Sequence, residues 1–302
     1  MLLCLKSLGS QHTYGGQAVV EGVMIRGRTN VSVAVRRTDG SIVSRTDRIN
    51  PFWTGPFRSF PLIRGILALT ETFYFGMRSL IFSANIAAES ENEEIGKFSI
   101  LAMLTTASIF AIVVFLLIPL YLGDLIGNHF SSDLIANVIE GLLRLIIFLL
   151  YVFLIGLMSD VKRVFMYHGA EHMTVHAMEN EDALTTENIR AYPTAHPRCG
   201  TAFLLTVMVI AIILFIFIPR EPIWWLVSSR IILLPLIASL SYEFIRFTGF
   251  HSSNTFVKLF SLPNLALQSL TTRIPDDSQI EVAVKAMNTA KKADDENESL
   301  KN

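Results

Sequence analysis

The chain has 302 residues, of which 51% are hydrophobic and 17% are charged, and its formal net charge is −1. Soluble domains carry about 25% charged residues, so this composition favours an integral membrane protein. The near-neutral charge argues against nucleic-acid binding. The two cysteines, Cys4 and Cys199, are too few and too far apart for a disulfide framework.

Residues 14–95 are expected to form a cytoplasmic or interfacial region that contains a β-hairpin. Residues 31–35 alternate as a strand does, Asp39-Gly40 is typical of a hairpin turn, and residues 41–43 begin a return strand. The glycine-rich stretch 15–27 lacks the ending of a phosphate-binding loop, and its carboxylate, Glu21, is either a hydrogen-bonded loop residue or part of a confined site. Residues 64–88 predict an amphipathic helix rather than a membrane span, and residues 89–94 predict an acidic linker.

Residues 96–247 predict a membrane domain with about four transmembrane helices. The stretches 98–121, 142–158, 202–218 and 223–240 are apolar, and each approaches or exceeds the 17 residues that a span needs. The first connection contains Asp124 and Asp133 and no lysine or arginine. The positive-inside rule therefore places both termini and the loop 159–201 in the cytoplasm of a multi-pass cell-membrane protein, in contact with membrane lipids. The predicted fold class is a mainly α integral membrane protein with a small cytoplasmic portion that contains a β-hairpin.

Charged residues within the spans, and the segment after them, complete the domain assignment. Glu140 and Arg144 are four residues apart and are expected to pair with each other, and helix-end anchoring is the favoured interpretation for this pair and for Arg230. Residues 248–290 predict a cytoplasmic segment with a short helix, 279–290. The charged tail 291–302 has no apolar anchors and is expected to be disordered.

A cluster of histidines gives the strongest indication of function. Tyr167-His168-Gly169-Ala170-Glu171-His172 is followed by His176, so that three imidazoles lie on one helical face at about 0°, 40° and 80°. The order H-x-x-E-H is that of the inverted zinc peptidases, in which two imidazoles hold the metal and the carboxylate moves protons. The pattern predicts a divalent metal, preferably zinc, held by His168 and His172, with Glu171 as the catalytic base.

The sequence leaves the remaining ligands open between His196, Cys199 and Glu243. His196-Pro197-Arg198-Cys199 has a spacing that can bring both ends to one ion. If both His196 and Cys199 bind the metal, the shell is closed and structural, whereas a single one of them leaves a position for water, as catalysis requires. Glu243 is the rival third ligand, His176 is either a ligand or a surface histidine, and Glu179 is expected to be exposed to solvent.

Several motifs together are similar to a known family. Besides the two histidine motifs they are Gly-Gly-Gln-Ala-Val-Val-Glu-Gly-Val-Met at 15–24, Ser-Tyr-Glu at 241–243, Leu-Thr-Thr-Arg at 270–273 and Ile-Glu-Val-Ala at 280–283. This combination resembles the YqhQ-like family of bacterial membrane proteins over about residues 14–287. That family has a domain of unknown function and is often labelled a predicted metal-dependent enzyme. The resemblance implies a metal but supplies no substrate.

Two classes of function agree with these observations. The first is a membrane-embedded metal-dependent hydrolase at the cytoplasmic interface, acting on a peptide near the membrane or on a lipid-linked ester or amide. The second is a non-enzymatic protein, either a metal-stabilised membrane scaffold or a transporter. A homo-oligomer or a complex with a membrane partner protein is compatible with both. The spans contain few interior polar groups beyond Glu140, Arg144 and Arg230, which argues against transport. We favour the hydrolase.

Overall fold

A computed structural model of the chain describes residues 14–88, 96–130, 132–197, 199–251 and 254–299. The described residues are mostly helical, with one small antiparallel sheet near the N-terminus. The expected acidic linker at 89–94 lies outside the described residues, as do Cys4 and Arg198.

The sheet has four strands in the order β1-β2-β3-β4: β1 Gly15–Val19, β2 Gly22–Arg26, β3 Asn30–Arg36 and β4 Ile42–Arg48. The predicted hairpin is confirmed as β3 and β4, and Gly40 adopts the left-handed φ of 86° that its turn requires. The glycine-rich stretch is a second hairpin, β1–β2, rather than a loop. Glu21 lies in its turn with a φ of 52°.

Both faces of the sheet are buried by helices, which explains why apolar residues are so frequent in it. Val31, Val33 and Val35 of β3 pack with Phe75 of helix α2 (Ile63–Ala88). The opposite face packs against helices α6 (Ser159–Glu179) and α12 (Asp277–Ser299). Helix α1 (Pro51–Thr54) and a 3-10 turn (Pro56–Ser59) lead from the sheet into α2.

The long apolar helices occupy the middle of the chain. Helices α3 (Lys97–Ile112) and α4 (Ile118–Gly127) are joined by a π-helical turn, Val113–Leu117, and are followed by α5 (Asp133–Ile155). After α7 (Thr186–Arg190) come α8 (Gly200–Phe215), α9 (Ile223–Ile232), α10 (Leu234–Phe250) and α11 (Thr255–Thr271).

Among the described residues, two helices are long and apolar enough to cross a membrane, Phe98–Gly127 and Asp133–Ile155. The pair α9 and α10 would be a third if the two helices, bent by 41° at a short break, count as one span. Two of the predicted spans therefore coincide with such helices and the fourth coincides with the bent pair. The third corresponds to the shorter apolar helix α8, Gly200–Phe215.

Charged residues of these helices and of the connection between α8 and α9 form one buried network around Glu140. Its carboxylate contacts Nη2 of Arg144 at 2.6 Å, which confirms that pairing, and it also contacts Nη2 of Arg230 at 2.9 Å and Nη1 of Arg220 at 3.0 Å. The expected helix-end anchoring is wrong for Arg230, which is 1% exposed. The guanidinium of Arg230 can remain buried because it donates hydrogen bonds to the side-chain oxygens of Asn137 and Glu140.

Helix α12 continues to Ser299, whereas the sequence predicts a helix that ends at residue 290 and a disordered tail. A buried polar side chain, that of Asp294, rather than an apolar one holds the tail in place. Asp294 is fully buried and accepts hydrogen bonds from the Tyr14 hydroxyl (3.0 Å) and the backbone N–H groups of Arg28 (2.7 Å) and Thr29 (2.8 Å). Burial opposes ionisation of Asp294, but these N–H donors outweigh it and hold its pKa below the usual value.

Candidate metal centre

Helix α6 brings the histidines against two segments that are distant in the chain. Gly169 permits a close approach, because a Cβ atom there would lie 2.1 Å from the carbonyl oxygen of Arg273. The histidine face consequently meets the end of α11 and the loop 191–199. Helix α6 follows the long apolar helix α5 after a break of three residues.

His168, His172 and Cys199 form what we call the first ligand group. One ligand atom from each side chain lies within 4.8 Å of the other two. Nε2 of His168 is 3.3 Å from Sγ of Cys199, and the rings of His168 and His172 are 4.3 Å apart. Cys199 caps the N-terminus of α8, and its sulfur accepts the N–H of Thr201 at 3.3 Å. The cap fixes the thiol toward α6.

His176, Glu179 and His196 form a second ligand group with the same mutual distance limit of 4.8 Å. Nε2 of His196 lies 3.4 Å from Oε2 of Glu179, and the rings of His176 and His196 are 4.5 Å apart. The structure thus separates His196 from Cys199, although they are close in sequence. His196 is buried and Glu179 is partly buried rather than exposed.

Backbone carbonyls orient the imidazoles of the first ligand group. Nδ1 of His168 is 2.8 Å from the carbonyl oxygen of Thr271, and Nδ1 of His172 is 2.6 Å from that of Thr194. Histidines that bind metals usually donate their other ring N–H to such an acceptor, which fixes the tautomer and leaves Nε2 for the ion. Two imidazoles and a thiol are also donors that divalent transition metals accept. The residues of the first ligand group therefore fit a metal ion.

Glu171 is buried beside the first ligand group but is not a member of it. A Cβ atom on Gly16 of β1 would lie 3.2 Å from the carboxyl carbon of Glu171, so the strand backbone covers this carboxyl group closely. Burial raises the pKa of Glu171 to about 7, against the lowering effects of His168 and of the Gly16 N–H. Among the described residues, its Oε2 atom has no hydrogen-bond partner. The carboxyl group can exchange a proton near neutral pH.

The structure does not bring Glu243 to the histidines. Its carboxylate is paired with Arg64 of α2, whose Nε lies 2.6 Å from Oε1. Within the described part of the chain, Glu243 joins neither ligand group. Glu21 accepts hydrogen bonds from Arg163 and Tyr167 of α6. Of the two roles expected for Glu21, the structure therefore shows that of a hydrogen-bonded loop residue.

Sequence reasoning missed the groups that position the imidazoles. Thr194 and Thr271 act through their carbonyl oxygens, which no side-chain pattern reveals. The side chain of Gln268 accepts the N–H of His196 at 2.8 Å and donates to its carbonyl oxygen at 2.9 Å. The one available signal was the Leu-Thr-Thr-Arg motif at 270–273, which the family resemblance includes and which contains Thr271.

Comparisons with known proteins agree with the motif resemblance. A family model described as a protein of unknown function (DUF1385) matches residues 60–293. The uncharacterized protein YqhQ of Bacillus subtilis (strain 168) is 34% identical over 289 residues, which is 91% of this chain and 91% of that protein. No solved structure matches the chain. The chain therefore belongs to the DUF1385 family and, as the motifs indicated, to the YqhQ-like proteins.

Proposed function

We propose that this protein is a membrane-embedded metal-dependent hydrolase whose site faces the cytoplasm. The observation that carries the proposal is that Cys199 and His196 belong to different ligand groups, so that among the described residues the first ligand group has three protein ligands. A closed shell of four would favour the metal-stabilised scaffold instead, whereas catalytic zinc sites keep three protein ligands and one open position.

The donor set of the first ligand group suits zinc, since an imidazole and a thiolate bind it at about 2.1 and 2.3 Å. His168, His172 and Cys199 would hold the ion, which when bound would supply Lewis-acid chemistry to a water molecule and to a carbonyl group of the substrate. His168 and His172 would keep the tautomer that binds, because the carbonyl oxygens of Thr271 and Thr194 fix their Nδ1 protons.

Glu171 supplies the proton transfers in this proposal. A pKa of about 7 suits a group that accepts a proton from water and then returns it to a leaving group. Its unpartnered Oε2 is the atom available to hold that proton, and the backbone at Gly16 keeps the carboxyl group in place. Burial by β1 also excludes bulk water from the carboxyl group.

The proposed membrane topology determines which substrates can reach the site. We propose four spans, formed by α3–α4, α5, α8 and the bent pair α9–α10, with both termini in the cytoplasm. Cys199 is the cap of α8, so the first ligand group would lie at the membrane surface. A peptide beside the membrane or a lipid-linked ester or amide would have access there.

A substrate panel tests this proposal. Detergent-purified protein, reconstituted in vesicles and loaded with Zn²⁺, would be assayed on peptide, ester and amide substrates with and without lipid anchors. We expect metal-dependent hydrolysis that falls by a factor of about 10² to 10⁴ in Glu171→Gln, while the exposed control Glu187→Gln keeps the wild-type rate. Hydrolysis that is unchanged in Glu171→Gln would contradict the proposal, and so would failure of the loaded wild type on every substrate.

A further inference from the structure

We infer that the second ligand group, His176, Glu179 and His196, binds a metal ion of its own beside the first. Its ligand atoms lie within 4.8 Å of one another, as close as those of the first ligand group. The three side chains are distinct from those that the proposed hydrolase uses. The inference therefore goes beyond the proposed function and does not depend on it.

The distances within the second ligand group suit coordination. Two nitrogen or oxygen ligands, each about 2.0–2.1 Å from a tetrahedral zinc ion, lie about 3.4 Å apart. Nε2 of His196 and Oε2 of Glu179 are 3.4 Å apart, a separation that a weak hydrogen bond would also give. The third member distinguishes the two explanations, because the ring of His176 converges on His196 with 4.5 Å between centroids. A simple ion pair has no need of a third donor.

Surrounding groups hold the ring of His176 and the backbone of His196 in position. Nε2 of His176 is 3.0 Å from the carbonyl oxygen of Ala195, which leaves Nδ1 for an ion, and the ring stacks on Tyr192 at 5.9 Å. The fully buried Gln268 holds the backbone of His196 by both its N–H and its carbonyl group. Such orientation by neighbours outside the ligand set is the rule for metal-binding histidines.

The two ligand groups differ in chemistry. The first includes a thiol, whereas the second offers two imidazoles and a carboxylate, a harder donor set that suits zinc, iron or manganese. They are neighbours on α6, since His172 and His176 are one turn apart, and the rings of His172 and His196 lie 5.7 Å from each other. Each group has three donors, so neither needs a side chain from the other.

Cobalt binding can separate the two sites experimentally. Purified protein would be stripped with a chelator and titrated with Co²⁺, and bound metal would be counted by elemental analysis. Only the first ligand group can give a thiolate-to-cobalt charge-transfer band. We expect two bound ions in the wild type. Glu179→Gln and His176→Ala should bind one and keep the band, while Cys199→Ala should bind one and lose it.

Controls distinguish the loss of a specific metal ligand from the loss of an unrelated histidine or of the fold. His251→Ala removes an exposed histidine outside both ligand groups and should bind two ions. Circular dichroism and the thermal midpoint identify any variant that fails to fold, and the partly buried Glu179 offers the mildest change. One ion in the wild type, or two ions in both Glu179→Gln and His176→Ala, would overturn the inference. A Glu179→Gln variant that loses the charge-transfer band, as Cys199→Ala does, would show one shared centre and would also overturn it.

Discussion

Replacing Glu171 by glutamine should stabilise the metal-free protein at alkaline pH. In the folded protein burial raises the pKa of this carboxyl group from 4.5 to about 7. A group with a raised pKa in the folded state favours folding below its unfolded value, here 4.5, and that stability is lost as the pH rises through about 7. At about 1.4 kcal/mol for each unit of pKa, the loss amounts to about 3 kcal/mol by pH 8. Glutamine has the same shape and does not ionise.

The assay is chemical or thermal unfolding of both proteins in detergent with a chelator, from pH 4.5 to 8. We expect the free energy of unfolding of Glu171→Gln, relative to the wild type, to increase by about 3 kcal/mol across this range. The exposed control Glu187→Gln should show no such trend. A difference between Glu171→Gln and the wild type that stays constant with pH would refute the reasoning, because it would mean that the buried carboxyl group does not titrate there.

Three further substitutions test other parts of the fold. Asp294→Ala removes a buried carboxylate that accepts hydrogen bonds from the sheet region and should cost at least about 3 kcal/mol in unfolding experiments, whereas the exposed neighbour Asp295→Ala should be nearly neutral. Glu140→Gln leaves three arginines without their buried carboxylate and should lower stability by about 3–5 kcal/mol, measured as a reduced thermal midpoint. Gly16→Ala places a Cβ atom 2.2 Å from a carbonyl oxygen of β2 and should lower both stability and hydrolysis, whereas Gly15→Ala, with nothing within 4 Å, should match the wild type in both measurements.

The parts of the site on one helix could be predicted from the sequence. His168, His172 and His176 share a face because four residues make about one turn, and the structure keeps all three on α6. The hairpin at β3 and β4 followed from local turn chemistry in the same way. These features depend on neighbours within a few residues, which is the range that a sequence pattern describes.

The other features depend on contacts between distant residues. His196 and Cys199 join different ligand groups with residues of α6, and Glu243 is held by Arg64, which is 179 residues away in sequence. From its sequence the tail is expected to be disordered, but Asp294 holds it in place through hydrogen bonds from residues about 265 positions away. The long-range partner of Arg230, likewise, is on another helix. Spacing within one segment cannot specify such pairings.

Metal content is the most direct test of the central claim, that the first ligand group binds a metal and Glu171 acts beside it. Detergent-purified wild type would be compared by elemental analysis with Glu171→Gln, His172→Ala and Cys199→Ala, after reloading without chelators. The account predicts that Glu171→Gln holds the same number of transition-metal ions as the wild type, and that His172→Ala and Cys199→Ala each hold one fewer. A wild type without metal would contradict it, as would a Glu171→Gln variant that loses the ion together with His172→Ala.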